Sequence, residues 1–231
     1  MQIRGLNKVT LLDYPGHVAA TIFLGHCQFR CPFCQNGGLV LHPEEEESFS
    51  REEVLAFLKK RSAVLEGVCI TGGEPTLEPE LEGFIREIKE FGYKVKLDTN
   101  GYRPEVLKDL AGKGLLDYVA MDIKSSLSGY EKASGKSNIC LDKIQESVDF
   151  LLSGTLPFEF RTTIVDELHS EKEIREIGQW INGAPAYFLQ VYQDSDHVLE
   201  DWCSPPSREK LETFVSILKE TIPKVEIRGL D

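Results

Sequence analysis

No apolar run in this sequence approaches the roughly 18 residues that a membrane-spanning helix requires, so no membrane role is expected. Positive charge is also in short supply. Twenty-six Lys and Arg stand against 38 Asp and Glu, for a net charge of −12, and a field of that sign repels polyanions, which argues against nucleic acid as a partner. The opening residues Met1-Gln2-Ile3-Arg4-Gly5-Leu6 lack the basic-then-apolar pattern of a secretory leader, and a cytoplasmic location is expected. No internal repeat or low-complexity linker is evident. One domain over 1–231 is therefore expected, with a small N-terminal hairpin over 1–17 and a barrel-like unit over 18–231. Cysteine is sparse at six, and in a reducing compartment these thiols do not read as a disulfide framework.

Short β-branched or aromatic runs alternate with longer charged segments of helical period, the pattern of repeated βα units around a mostly parallel sheet. Candidate strands are 18–24, 68–71, 94–99, 118–123, 158–165 and 187–192, with a closing edge strand at 224–228. Candidate helices are 50–65, 79–91, 104–111, 141–152, 170–181 and 207–222. In the first of these, Ser50-Arg51-Glu52-Glu53 reads as a capping box. Residues 3–13 alternate loosely and end in Tyr14-Pro15-Gly16, a turn signal. Segments 27–48 and 125–137 read as long loops leaving strand C-termini, where barrel enzymes carry their chemistry.

Cys27, Cys31 and Cys34 fall within eight residues, directly after an apolar strand, while Cys69, Cys140 and Cys203 are scattered singly and read as structural. Thiolates are soft ligands that suit iron–sulfur clusters or zinc. A structural zinc site usually has four ligands with paired C-x-x-C elements, and only one C-x-x-C occurs here. Three thiolates on a cubane leave one iron open to a substrate. His26 or His42 as a fourth ligand would instead make a zinc site.

The spacing C-x-x-x-C-x-x-C, with the aromatic Phe33 before the last cysteine, resembles the radical S-adenosylmethionine (SAM) superfamily. That resemblance implies a [4Fe–4S] cluster held by Cys27, Cys31 and Cys34, SAM chelated to the open iron, and one-electron cleavage to a 5′-deoxyadenosyl radical that abstracts hydrogen. It also implies an incomplete (β/α)6 TIM-like barrel of the α/β class, open laterally.

Thr71-Gly72-Gly73-Glu74-Pro75 follows the second candidate strand. Paired glycines allow close backbone approach to a ligand, though an ordinary strand-to-helix turn would look the same. Its position resembles the superfamily's Gly-Gly-Glu element, which implies amino-group recognition by Gly72, Gly73 and Glu74. Leu97-Asp98-Thr99-Asn100-Gly101 and Met121-Asp122-Ile123-Lys124 end the next two strands and look like elements of the glycyl-radical activating enzymes. Carried over, Lys124 would contact the SAM carboxylate while Asp98 and Asp122, with a monovalent cation offsetting their like charge, organise the same end. Arg161, Gln190, Tyr192 and Gln193 are candidates to reach the ribose or adenine, with facing uncertain by one residue. Asp194, Asp196 and His197 lie just beyond and read equally well as loop residues.

Ile3-Arg4-Gly5-Leu6, Leu12-Asp13-Tyr14-Pro15-Gly16 and Thr21-Ile22-Phe23-Leu24 are similar to the anaerobic ribonucleoside-triphosphate reductase activating proteins, a resemblance that covers nearly the whole chain. It implies hydrogen abstraction from a glycine of a glycyl-radical enzyme, with an electron donor such as flavodoxin or ferredoxin. Two other readings stay open. One is a small-molecule radical enzyme of the 7-carboxy-7-deazaguanine synthase type, and the other is a non-catalytic zinc-binding module.

Overall fold

The computed structural model describes residues 1–195 and 198–230. Among them, the β-branched and aromatic runs form one sheet with strands in chain order: β1 (Ile3–Thr10), β2 (Ala19–Leu24), β3 (Gly67–Gly72), β4 (Lys94–Thr99), β5 (Tyr118–Asp122), β6 (Phe158–Ile164), β7 (Tyr187–Val191) and β8 (Val225–Arg228). Strands β2 to β8 are parallel neighbours, whereas β1 runs antiparallel to β2. Edges β1 and β8 do not pair, so the sheet curls into a partial barrel that stays open on one side. Residues 1–17, expected to form a hairpin of their own, supply a single strand, β1; its antiparallel partner is β2, the first strand of the parallel series, so the hairpin reaches past residue 17 to Leu24. Its connection is anchored by Tyr14, which is buried against the backbone of Gly67, where a Cβ would lie 2.7 Å from the ring.

Alternation divides each strand between two environments. Ile22, Val68, Ile70, Val95, Leu97, Val119 and Met121 are fully buried in the hydrophobic core, while the intervening Thr21, Asp98 and Asp122 line the barrel interior. Outside the sheet pack α2 (Arg51–Arg61), α3 (Leu81–Glu90), α4 (Pro104–Gly112), α6 (Leu141–Leu152), α7 (Glu171–Trp180) and α8 (Arg208–Leu218). Their apolar stripes, such as Phe84, Ile85 and Ile88 or Ile144, Val148 and Leu151, are fully buried. Each such side chain contributes about 1.5–3 kcal/mol relative to exposure. Capping boxes at Ser50/Glu53 and Ser170/Glu173 start α2 and α7 by satisfying otherwise orphaned amide groups.

The two segments expected to be wholly irregular each contain a short helix, α1 (Gly37–Leu41) and α5 (Tyr130–Ser134). Neither is long enough to form from local propensity. α5 is held by tertiary contacts. Tyr130 is fully buried and meets Trp180 edge-on at 6.1 Å, and the helix ends at Gly135 in the left-handed region (φ 61°), where a Cβ would meet the Arg30 carbonyl oxygen at 1.9 Å. That close approach docks α5 on the cysteine loop. No helix among the described residues is long and apolar enough to cross a membrane.

Candidate active site

The cysteine loop leaves β2 through a backbone lock. His26 adopts φ 66°, an uncommon conformation for a residue with a Cβ. It is held there because its amide donates to Leu39 O at 2.8 Å and its carbonyl accepts from Glu74 N at 2.7 Å. Gly73 N donates to Leu24 O at 2.8 Å, and Asn36 Nδ2 donates to Gly72 O at 3.0 Å. A Cβ on Gly72 or Gly73 would meet backbone atoms of Leu24 or His26 at 2.2 and 2.0 Å. Both glycines are therefore required by the close approach of the two loops. At the far side, Arg30 N donates to Ser134 O at 2.9 Å, so α5 closes the loop from below.

Cys27, Cys31, Phe33 and Cys34 line one cleft of about 280 Å³ together with Gly72, Gly73, Glu74, Asp98, Asp122, Lys124 and Arg161. Residues separated by more than 130 positions thus meet at the strand C-termini. Among the described residues, the one trio of His, Cys, Asp or Glu ligand atoms lying within 4.8 Å of one another is the exposed His42, Glu44 and Glu45. The three cysteine sulfurs are not gathered that tightly. A single tetrahedral zinc, with Zn–S near 2.3 Å, needs sulfurs about 3.8 Å apart, whereas a cubane takes each thiolate on a different iron and so accepts wider spacing. The donor set fits a cluster better than a single ion. His26 and His42 do not line the cleft, so neither stands as a fourth ligand. Burial pushes the Cys27 and Cys31 thiols up to about 12 and raises that of Cys34. A metal centre binding there takes up thiolates and releases protons.

Beside the cysteines lies a buried charge network. Arg161 bridges two carboxylates, donating from Nε to Asp122 Oδ1 at 2.9 Å and from a terminal nitrogen to Asp98 Oδ2 at 3.1 Å. Register places it opposite Asp122 on the neighbouring strand. Lys124 Nζ donates to Asp122 Oδ2 at 3.1 Å, and Lys96 Nζ donates to Asp98 Oδ1 and to Cys69 Sγ. Burial works to raise both carboxyls, but the cations outweigh it. They hold Asp98 below the usual carboxylate range and Asp122 at about 2. Lys124 is correspondingly held above its ordinary value against the opposing effect of burial. The charge offset expected of a monovalent cation is thus supplied in large part by Arg161, Lys96 and Lys124.

Glu74 is almost fully buried and accepts from Thr76 N at 3.1 Å, Thr76 Oγ1, Thr99 Oγ1 at 2.8 Å and Asn100 N at 2.7 Å. Burial raises its carboxyl above the ordinary range in spite of these donors. Gln190 and Thr163 also line the cleft, whereas Tyr192 does not. β7 ends at Val191, so the period-2 alternation that would carry Tyr192 to the same face as Gln190 stops one residue short. The Tyr192 ring is buried in the core, and its hydroxyl donates to Asp194 Oδ1 at 3.2 Å. Gln193 is exposed and likewise outside the cleft lining. Asp196 and His197 lie outside the described residues. Cys140 is exposed, Cys69 and Cys203 are buried, and none of the three lines the cleft.

Sequence reasoning passed over three residues of this neighbourhood. Lys96 was legible in principle, since 94, 96 and 98 share one face of β4. His169 carried no local signal. It is buried, with Nε2 3.0 Å from Lys124 O and Nδ1 accepting from Val165 N at 3.0 Å, so it ties the end of β5 to the end of β6. Asn100 stood within the 97–101 element without a role of its own, yet its side chain reaches Cys27.

The chain is similar to known proteins over most of its length. The family model described as Radical SAM superfamily matches residues 21–181. The Methanocaldococcus jannaschii protein MJ1227, named for glycyl-radical enzyme activation, is 30% identical over 99% of this chain and 96% of its own length. A Sulfurisphaera tokodaii protein named for GTP 3′,8-cyclase activity is 31% identical over 88% of this chain, which spans 64% of that relative. Among solved structures, a domain of a pyruvate-formate lyase-activating enzyme from Bacteroides vulgatus superposes with a TM-score of 0.58 at 20% identity, covering 71% of this chain and 99% of that one. Streptococcus suis SuiB bound to S-adenosylmethionine gives a TM-score of 0.69 at 13% identity, covering 90% of this chain and 52% of that one.

Proposed function

Because this chain belongs to the radical SAM superfamily, we propose that it is an activating enzyme that abstracts hydrogen from a glycine of a partner protein, an anaerobic ribonucleotide reductase or related glycyl-radical enzyme. The observation that carries this reading is the near full-length similarity to a relative named for that activation. When bound, a [4Fe–4S] cluster supplies the electron that breaks the sulfur–C5′ bond of SAM, giving methionine and the 5′-deoxyadenosyl radical.

The protein's own work is to bind, orient and exclude water. Cys27, Cys31 and Cys34 would hold the cluster, and with only three protein thiolates they would leave it open to the amino and carboxylate groups of SAM. The Gly72–Glu74 turn receives the amino end. Glu74 Oε2 accepts one donor, from Asn100 N, and so keeps capacity for an ammonium. Lys124 faces the carboxylate as a preset cation, and Asp98, Asp122 and Arg161 fix its position through buried, hydrogen-bonded ion pairs. Phe33 and Gln190 line the cleft, and Gln190 is the candidate for the nucleoside end. Tyr192 lies in the core just beyond the end of β7. A monovalent cation beside Asp98 and Asp122 is not required by the charge balance, since three basic side chains already face two carboxylates. The lateral opening between β1 and β8 gives a protein loop a route to the radical, and a flavodoxin- or ferredoxin-class donor would deliver the electron.

Similarity to a GTP 3′,8-cyclase over 88% of this chain favours, as a second reading, a radical reaction on a small molecule. Anaerobic reconstitution with iron and sulfide, followed by dithionite and SAM, is expected to yield 5′-deoxyadenosine, and a co-incubated reductase polypeptide should acquire a glycyl-radical EPR signal. Each of Cys27→Ala, Cys31→Ala and Cys34→Ala should abolish cleavage without unfolding the sheet. Retained cleavage in all three variants sinks the cluster assignment. Turnover of a nucleotide with no protein radical selects the small-molecule reading, and zinc retained in place of iron defeats both.

A further inference from the structure

The Asn100 carboxamide links three parts of the site. Its Oδ1 accepts from Tyr102 N at 3.0 Å and from Gln28 Nε2 at 3.0 Å, while its backbone amide donates to Glu74 Oε2. The Tyr102 amide can only donate, so the oxygen must face it and the Nδ2 group must point the other way. On that side lies Cys27 Sγ, 3.7 Å from Nδ2. The same sulfur also accepts from Phe29 N at 3.3 Å. The Phe29 donor is main chain and present whatever the side chain. Asn100 is a replaceable one, nearly fully buried and held in a single orientation from two directions.

We propose that Asn100 is a positioning residue that sets the reduction potential of the cluster through its Nδ2–H···Sγ bond to Cys27. This rests on the assignment of Cys27 as a cluster ligand. A donor to a ligating sulfur draws negative charge off it. The reduced cluster carries one more electron than the oxidised one and gains more from such a donor, so hydrogen bonds to sulfur raise the potential. The reductant in this couple is external, dithionite in the assay, and one electron enters the cluster with no bond made or broken at Asn100. Burial of the Asn100 carboxamide strengthens the effect, because little water competes for its donor group. Gln28 acts indirectly, by holding the carboxamide.

The test is an EPR-monitored redox titration of the reconstituted full chain without SAM, native against Asn100→Ala, with iron counted in each. At a fixed solution potential the variant's ratio of reduced to oxidised cluster is expected to fall about tenfold, a negative shift of 59 mV for a one-electron couple. A fully loaded variant with the native potential overturns the proposal. If the variant holds no iron, the native protein decides the matter. With asparagine labelled with 15N in its side-chain amide, pulsed EPR of the reduced cluster should detect a coupled 15N. No coupling overturns the proposal. Native protein that binds no iron at all, or binds zinc instead, overturns the ligand assignment and the inference resting on it, a failure distinct from a loaded cluster with unchanged potential.

Discussion

Replacing Arg161 with Met keeps most of the side chain's bulk and removes its charge. The guanidinium makes one hydrogen bond to each of Asp98 and Asp122, at 3.1 and 2.9 Å, and a hydrogen bond to a charged group contributes about 1.5–3 kcal/mol. Asp98 keeps Lys96 and Asp122 keeps Lys124, so the loss falls at the low end of the combined range, about 3 kcal/mol at pH 7. For a chain of this size that lowers Tm by about 6–12 °C. The loss also has a pH signature. Asp122 is held at about 2, against an ordinary 3.8, by Arg161 and Lys124 together, which corresponds to roughly 2–3 kcal/mol at about 1.4 kcal/mol per unit, of which Arg161 supplies a share. The folded-state value lies below the ordinary one, so this contribution is complete above about pH 5 and is lost as pH falls toward 2. About half of it is gone by pH 3. Urea titrations followed by circular dichroism, with iron content matched, should therefore give a native–variant gap that is large at pH 7 and distinctly smaller at pH 3. A gap that does not change with pH, or one below about 1 kcal/mol at pH 7, would refute the reasoning.

Two further substitutions separate the site from the scaffold. Gly73→Ala puts a Cβ 2.0 Å from the His26 carbonyl oxygen, and because the obstacle is backbone, the cysteine loop must shift. A cost of about 1–3 kcal/mol and loss of SAM affinity are expected by thermal melting and equilibrium binding, and native values in both assays would remove the loop-to-loop approach from the account. Ser50→Ala removes one half of the α2 capping box. It should cost about 1 kcal/mol and leave SAM cleavage per cluster unchanged, and a drop in specific activity would mean that α2 communicates with the cleft.

Much of this arrangement was legible in the residues. Lys94–Thr99 and Leu141–Leu152 have the bounds their patterns suggested, because β-branched alternation and a 3.6-residue apolar stripe are both local signals. The cysteines, the Gly72–Glu74 turn, Asp98 and Asp122 were singled out because each motif sits at a strand end and is contiguous in sequence, and the structure brings them to one cleft. Arg161 was singled out as a group reaching toward ribose or adenine, yet its hydrogen-bond partners are Asp98 and Asp122. Which neighbour a residue meets depends on the register between β5 and β6, and neither strand encodes that alone. Tyr192 was misjudged for a related reason, because alternation predicts facing only as far as the strand runs.

The sequence by itself determined the βα rhythm, the thiolate spacing and the glycines, since these depend on chemistry within a few residues of one another. Tertiary structure alone decided what converges. The left-handed turn at His26, the short helix α5 on the cysteine loop, the Arg161 guanidinium between Asp98 and Asp122 and the Asn100 amide aimed at Cys27 all depend on contacts between segments far apart in the chain. The physical reason is that an isolated segment has no burial of its own. Desolvation and buried hydrogen bonding, which fix the charge states and orientations in this cleft, exist only once the strands have curled around it.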